Sequence, residues 1–430
     1  MIYDTRQGEM VMNDKTIEKA VSEYGTPLYL YDMNNIGSHL KELQDAIMDK
    51  ATVYYSMKAN PLLGICQYMK EKGSGVEVAS KGEMFIALQA GFQPENIIFT
   101  SPGKTVEEIR YAIDNKIKLI NIESLEEAQL INQEAKAQNF IMPIAVRVNP
   151  RVSFANAKIK MSGVASQFGI EEESLNDSLF SELQKLRNIS LMGIQVYMGT
   201  QILNAEDLVK NTEYIIELAL RLSAKYGFSL QYLNMGGGFG IPYFPNETEL
   251  DMRKLKAGFS KLDEIYADKL ANTELIFESG RYIMAEAGVF VTKALYCKES
   301  KGNSYIVCDG GSNFHGASAF LGRFVRNNYP MYVVNSKESK ISTNVTGPLC
   351  TPADIIGQKV CIGNASVGDI IVIEKSGAYG LTHSPLKFLS HEAPAEVVFY
   401  DEQYHVLRER EKVDSFLLGQ NTLDIGDEFE

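Results

Sequence analysis

Lys58 ends the run Val53-Tyr54-Tyr55-Ser56-Met57-Lys58, and Asn60-Pro61 breaks the chain behind it. Val53, Tyr54 and Tyr55 favour a strand, whereas Asn60-Pro61 stops one. A lysine at the end of a buried strand points into the cleft on which that strand opens. Partial desolvation there lowers an amine's pKa and lets it attack a carbonyl to form a Schiff base. Two later stretches supply what such chemistry needs. Gly236-Gly237-Gly238-Phe239-Gly240 can bring backbone amides close to a phosphate. Glu278-Ser279-Gly280-Arg281 follows the apolar Leu275-Ile276-Phe277, so its carboxylate arrives on a buried approach. An amine for an aldehyde, a glycine cradle for a phosphate and an acid for a ring nitrogen together match pyridoxal 5'-phosphate. A charge-assisted bond from Glu278 to that nitrogen would be worth roughly 1.5–3 kcal/mol. It would keep the ring protonated and therefore an electron sink. The glycine run is not a dinucleotide fingerprint, because it comes late and no acidic residue follows at the end of a neighbouring strand.

These residues need a scaffold that gathers strand ends. Short apolar strands alternate with helical patterns over 53–58, 75–80, 96–101, 118–123, 143–149, 190–197, 232–238 and 275–280. Eight such units predict a closed parallel (β/α)8 TIM barrel, with chemistry at the C-terminal strand ends and phosphate after strands seven and eight. Arg147, in Val146-Arg147-Val148-Asn149-Pro150, is a further strand-end residue. Three strand exits carry a helix-start signal: Ser80 with Glu83, Thr105 with Glu108, and Ser124 with Glu127. Each reads as a capping box. Before the barrel come a helix-like stretch at Ile17 to Tyr24 and a strand at Leu28 to Tyr31. After about residue 285, strand-like runs separated by Gly, Asn, Asp and Pro (Val289–Val291, Tyr305–Cys308, Met331–Val334, Asp369–Ile373) predict an antiparallel β domain. The expected division is a barrel over 34–282 and a β-barrel or β-sandwich domain over 1–33 plus 283–430.

Composition narrows the function classes. The net charge of -13, from 55 acidic against 42 basic residues, argues against nucleic acid and against an anionic membrane surface. Five scattered cysteines show no CxxC and no metal-ligand spacing, which suits a reducing compartment. No signal peptide opens the chain and no apolar run is long enough to span a bilayer, so a cytoplasmic protein is expected.

The segments YSMKANP, GVEVASKGE, QFGI, NMGGGFG, ESGRY, DGG, GPLCTPAD and GAYG occur in this order between about Thr26 and Ala395. In this the chain resembles the fold type III pyridoxal-phosphate decarboxylases, the diaminopimelate, ornithine and arginine decarboxylase relatives. The resemblance implies an alanine-racemase-like barrel plus a β domain built from both chain ends. It also implies a head-to-tail homodimer with two shared active sites. By that likeness Lys58 is the Schiff-base lysine and Glu278 pairs with the pyridine nitrogen. Gly236, Gly237, Gly238, Gly280, Arg281 and Tyr379 hold the phosphate or sit beside it. Arg147 supports the ring, and Glu77 stands where an aspartate is common. Cys350 reaches in from the partner subunit to return a proton after carbon dioxide leaves.

Two departures bear on the substrate. The family's ring-stacking histidine is missing, since no histidine lies between His39 and His315. Tyr197 takes the stacking position and Thr200 the phosphate-contact position. A tyrosine supplies an aromatic face but not the imidazole's charge. The acidic residue that binds a distal amine in diaminopimelate and ornithine decarboxylases is also missing, because Thr351-Pro352 follows Cys350. A buried ammonium without a carboxylate partner would cost several kcal/mol, so a neutral far end such as an amide or thioester is expected. Arg281, Arg323, Thr351 and Tyr379 are expected to face the substrate. Both departures, with the GGGFG-x-PYF run and the segment Phe320 to Met331, resemble the glutamyl-[acyl-carrier protein] decarboxylases of butirosin-type pathways. Siderophore-pathway decarboxylases are further kin. Arg323 and Arg326, with Lys158 or Lys160, are candidates to meet an acidic carrier protein, and solvated surface charge is the alternative for each. Three other readings stay open: decarboxylation of free diaminopimelate, amino-acid racemisation, and a non-catalytic relative of the decarboxylases.

Overall fold

The computed structural model describes residues 12–152, 166–319, 328–336 and 340–423. Eight parallel strands close into a barrel: Ala51–Ser56, Gly75–Val78, Ile97–Thr100, Leu119–Ile122, Met142–Asn149, Ile189–Val196, Tyr232–Asn234 and Glu274–Ser279. Closure occurs because Ala51–Ser56 pairs with both Gly75–Val78 and Glu274–Ser279. All eight expected strands are present, four of them shorter. The largest difference is in the seventh, which stops at Asn234 because Gly236 and Gly238 adopt left-handed backbone. Tyr54, Ile98, Leu119, Ala145, Tyr232 and Ile276 form an apolar cluster within the strands. A Cβ on Gly75 would lie 2.5 Å from the Tyr54 ring, so that glycine makes room for it.

The three helix starts are capped, in two ways. Thr105 and Glu108 form the reciprocal box. At Ser80 and Ser124 the hydroxyl caps the amide of Glu83 or Glu127, but the glutamate reaches back one residue further, to the amides of Ala79 and Glu123. The cause is backbone conformation. Ser80 and Ser124 are fully extended at φ -159° and -157°, whereas Thr105 sits at -79°. The N-terminal helix spans Asp14–Tyr24, earlier than expected, because the Asn13 side chain caps the amide of Thr16.

The second sheet is mixed rather than antiparallel. Leu28–Asp32 pairs antiparallel with Gly288–Ser300 but parallel with Ala395–Tyr400, and Asn303–Cys308 runs parallel to Ile341–Thr346. The parallel pairs are crossovers, one of them bridged by the whole barrel, and local pattern carries no signal for such pairing. Tyr31 and Arg408 both donate to Glu396 at 2.6 Å, joining the two ends of the chain. Among the described residues, no helix is long and apolar enough to cross a membrane.

Candidate active site

Lys58 is not on the strand. It occupies the single 3-10 turn Met57–Ala59 that follows it. The Tyr379 amide donates to the Ala59 carbonyl at 2.8 Å, and the Asn60 side chain reaches the Gly377 carbonyl at 3.4 Å. The turn is thereby pinned to the Gly377–Gly380 segment. Gly280 packs against it from the barrel side, where a Cβ would lie 2.7 Å from that of Ala59.

Two buried carboxylates flank Lys58. Its Nζ donates to Glu77 at 2.7 Å, with Glu77 at 1% exposure and the lysine side chain 44% open. Sheet register brings both carboxylates beside the strand that leads into Lys58, since Glu77 lies opposite Ser56 and Glu278 opposite Tyr54. Burial pulls the Lys58 pKa down, but Glu77, then Glu278 and Tyr379, outweigh it and push it up. The lowered pKa expected from the sequence is therefore wrong for this state, because the strand next door supplies a counter-ion. Burial and Glu77 push the Glu278 carboxyl up to about 7, against Lys58, Asn234 and Arg147, which pull it down. Glu83, also half inside this group, is raised to about 7 by burial.

The glycine cradle lies at the exits of the seventh and eighth strands. A Cβ on Gly237 would run into the Glu278 carbonyl oxygen, one on Gly236 into that of Val196, and one on Gly238 into that of Gly199. Gly236 (φ +63°) and Gly238 (φ +94°) also require left-handed backbone. Tyr197 packs on this turn, its Cδ2 3.2 Å from where a Gly236 Cβ would be. Its hydroxyl bonds to Thr200; burial and Tyr379 raise its pKa, against Thr200, Lys58 and Arg281.

Arg281 donates to the Tyr243 hydroxyl at 3.0 Å, and its guanidinium lies over the rings of Tyr379 (4.7 Å) and Tyr243 (5.6 Å). Among the described residues its Nε is buried without a partner. Tyr379 itself sits at φ +55°, a rare backbone for a tyrosine. Arg147 is turned to Glu123 at 2.6 Å and lies over the Phe168 ring, where the Gly169 amide also caps Glu123.

Lys58, Glu77, Tyr197, Glu278, Gly236–Gly238, Gly280, Arg281 and Tyr379 are thus brought together. Cys350 and Thr351 are not: Cys350 is exposed, and none of the contacts around Lys58 described above involves either residue. Arg323, Arg326, Lys158 and Lys160 lie outside the described residues.

Several site residues were not singled out from sequence. Asn234 bridges Glu278 and the Gly236 turn. Asp354, 2% exposed, accepts from the Ser312 amide (2.7 Å), the Ser312 hydroxyl (2.8 Å) and the Leu349 amide (2.7 Å), which anchors the loop bearing Cys350. Tyr243 anchors Arg281, and Glu123 anchors Arg147. The positions of Asn234, Asp354 and Tyr243 inside NMGGGFG, GPLCTPAD and the PYF run were the available signal; Glu123 lies in none of these segments.

The donor set fits pyridoxal phosphate. It combines an amine, a buried carboxylate on each neighbouring strand, a turn that needs glycine, and a cation whose Nε is buried. Fold and site define a (β/α)8 enzyme of the pyridoxal-phosphate-dependent class. The chain belongs to the pyridoxal-dependent decarboxylases: residues 33–285 match that family's pyridoxal-binding domain. It is 37% identical to the L-glutamyl-[BtrI acyl-carrier protein] decarboxylase of Niallia circulans, over 96% of this chain and 97% of that one. It is 33% identical to the 2-[(L-alanin-3-ylcarbamoyl)methyl]-2-hydroxybutanedioate decarboxylase of Staphylococcus aureus, over 85% and 92%. The crystal structure of diaminopimelate decarboxylase from M. jannaschii with L-lysine superposes with a TM-score of 0.87 at 26% identity, covering 95% of this chain and 94% of that one.

Proposed function

We propose that this enzyme removes the α-carboxylate of an amino acid whose far end is a neutral acyl derivative, a glutamyl group tethered to a carrier protein being the favoured case. The observation that carries the choice is Thr351, which with Pro352 follows Cys350 and offers no carboxylate to a distal ammonium. Both similar decarboxylases have names that fit, one a glutamyl group on a carrier and the other a carbamoyl-linked side chain. An α-carboxylate can leave only when free, so a glutamyl substrate is tethered through its side-chain carboxyl.

When bound, pyridoxal phosphate supplies the sink for the electron pair that carbon dioxide leaves behind. Lys58 would hold its aldehyde, and Glu77, 2.7 Å from the lysine amine, would take the proton that Lys58 must lose before it attacks. Glu278 would hold the ring nitrogen. The Gly237, Gly238 and Gly280 backbone with Arg281 would receive the phosphate, and Tyr197 would cover a ring face. Arg147, held by Glu123, would support the ring, and Tyr379 and Arg281 would border the substrate, where the family resemblance alone also assigns Arg323. In a homodimer, Cys350 of the partner subunit delivers a proton to the α-carbon, and the exposure of Cys350 supports this reading. The net change is loss of one carbon dioxide and gain of one proton. The domain division at 34–282 and a reducing, cytoplasmic setting belong to the same reading, supported by sheet membership and five free cysteines.

The test is carbon dioxide release from a γ-glutamyl pantetheine thioester, a γ-glutamyl amide and free meso-diaminopimelate. The γ-acylated glutamates are expected to react and diaminopimelate to fail. Lysine formed from diaminopimelate at normal turnover would reverse the choice, and epimerisation without carbon dioxide would indicate a racemase.

A further inference from the structure

Asn234 ends the seventh barrel strand with no exposed surface. Its Nδ2 donates to Glu278 Oε1 at 2.7 Å and to the Tyr232 hydroxyl at 2.9 Å, and its Oδ1 accepts the Gly236 amide at 2.9 Å. The Glu278 amide in turn donates to the Gly236 carbonyl at 2.7 Å. These bonds close a ring between two parts of the site that lie far apart in sequence. We propose that Asn234 is a positioning residue that joins the Glu278 carboxylate to the Gly236 turn, so that the ring-nitrogen acid and the phosphate cradle are set by one side chain.

Chemistry restricts the position. Among the described residues, Asn234 is the one side chain donating a hydrogen bond to Glu278. A carboxamide presents donors and an acceptor together, and this site uses both sides. Aspartate could accept from Gly236 but would set a second anion against Glu278. Alanine would leave a buried carboxylate and a buried amide bare. Because Asn234 occupies the Gly236 amide, the phosphate-facing donors of the turn are those of Gly237 and Gly238. The bond to Tyr232 ties the unit to the apolar cluster in the barrel, so its orientation is set from below.

The proposal rests on the reading that Glu278 and the glycine turn hold pyridoxal phosphate. The experiment measures dissociation constants of pyridoxal 5'-phosphate and of unphosphorylated pyridoxal for wild type, Asn234→Ala, Glu278→Gln and the double variant. Asn234→Ala is expected to weaken pyridoxal phosphate about tenfold or more and to shrink the preference for it over pyridoxal. Its effect is expected to be markedly smaller in the Glu278→Gln background, since coupled neighbours are non-additive. A lowered melting temperature with unchanged phosphate preference and fully additive effects would overturn the proposal. If Asn234→Ala fails to fold, the isosteric Asn234→Asp serves. It should bind pyridoxal phosphate poorly at pH 8 and recover toward pH 6, as one shared proton relieves the paired carboxylates; wild-type binding across that range would overturn the proposal. Should Glu278→Gln leave affinity untouched, the underlying reading of Glu278 fails and the proposal with it. Should Glu278→Gln weaken binding while Asn234→Ala does not, the proposal alone fails.

Discussion

Removing the Glu77 charge should make Lys58 more readily deprotonated. The two charges meet at 2.7 Å, for which Coulomb's law gives about 6 kcal/mol at an effective dielectric constant of about 20. The lysine side chain is 44% open, so solvent screens part of this. A counter-charge in such reach typically moves a neighbour's titration by about 1–3 pH units. Glu77→Gln keeps the shape and removes the charge, while Glu278 remains on the other side. The assay follows the rate of pyridoxal phosphate attachment at Lys58 across pH, trapped with borohydride and read by peptide mass. The midpoint of that profile is expected to fall by about 1–3 pH units, raising the reactive fraction below the midpoint about 10- to 1000-fold. Glu77→Asp should stay near wild type. A midpoint that stays put or rises in Glu77→Gln would refute the ion-pair argument. The plateau rate is a separate matter, because Glu77 is also the proposed acceptor of the departing proton.

Three further outcomes follow from the same geometry. Gly237→Ala drives a methyl group into the Glu278 carbonyl, an overpacking worth about 1–3 kcal/mol; pyridoxal phosphate affinity should fall by about 10-fold or more, and wild-type affinity would contradict the cradle. Burial raises the Glu83 carboxyl from the ordinary 4.5 to about 7, so its burial costs stability progressively as pH rises through that window. Glu83→Gln should therefore gain on wild type between pH 5 and pH 8 by on the order of 1–3 kcal/mol in urea unfolding, and a constant gap would contradict the shift. Asp354→Ala strips three donors of a buried acceptor and frees the Cys350 loop. Turnover should fall with the pyridoxal phosphate dissociation constant within about twofold, since a contact of that loop with the cofactor cradle is not expected; a matching loss of both would contradict it.

The sequence made the barrel legible because short apolar runs alternate with helical stretches, three of which open on the caps Ser80, Thr105 and Ser124. Lys58, Glu77, Gly236–Gly238, Glu278 and Arg281 fall at strand exits, which a barrel must bring to one end. What escaped depends on partners distant in sequence. The ion pair that raises the Lys58 pKa is a property of register between two strands, and no single run encodes it. Asn234 and Asp354 were inside quoted motifs, yet their work is done through hydrogen bonds to residues elsewhere. The parallel pairing of Leu28–Asp32 with Ala395–Tyr400 joins opposite ends of the chain, where periodicity says only that both are strands. The left-handed turn at Tyr379 was equally silent, because tyrosine carries no signal for it.

Covalent attachment of the cofactor at Lys58 is the central prediction. Purified protein loaded with pyridoxal phosphate, reduced with borohydride and digested should carry the reduced cofactor's mass on the peptide containing Lys58, and Lys58→Ala should carry none. A label on another lysine, or none on wild type under saturating cofactor, would contradict the assignment of the site.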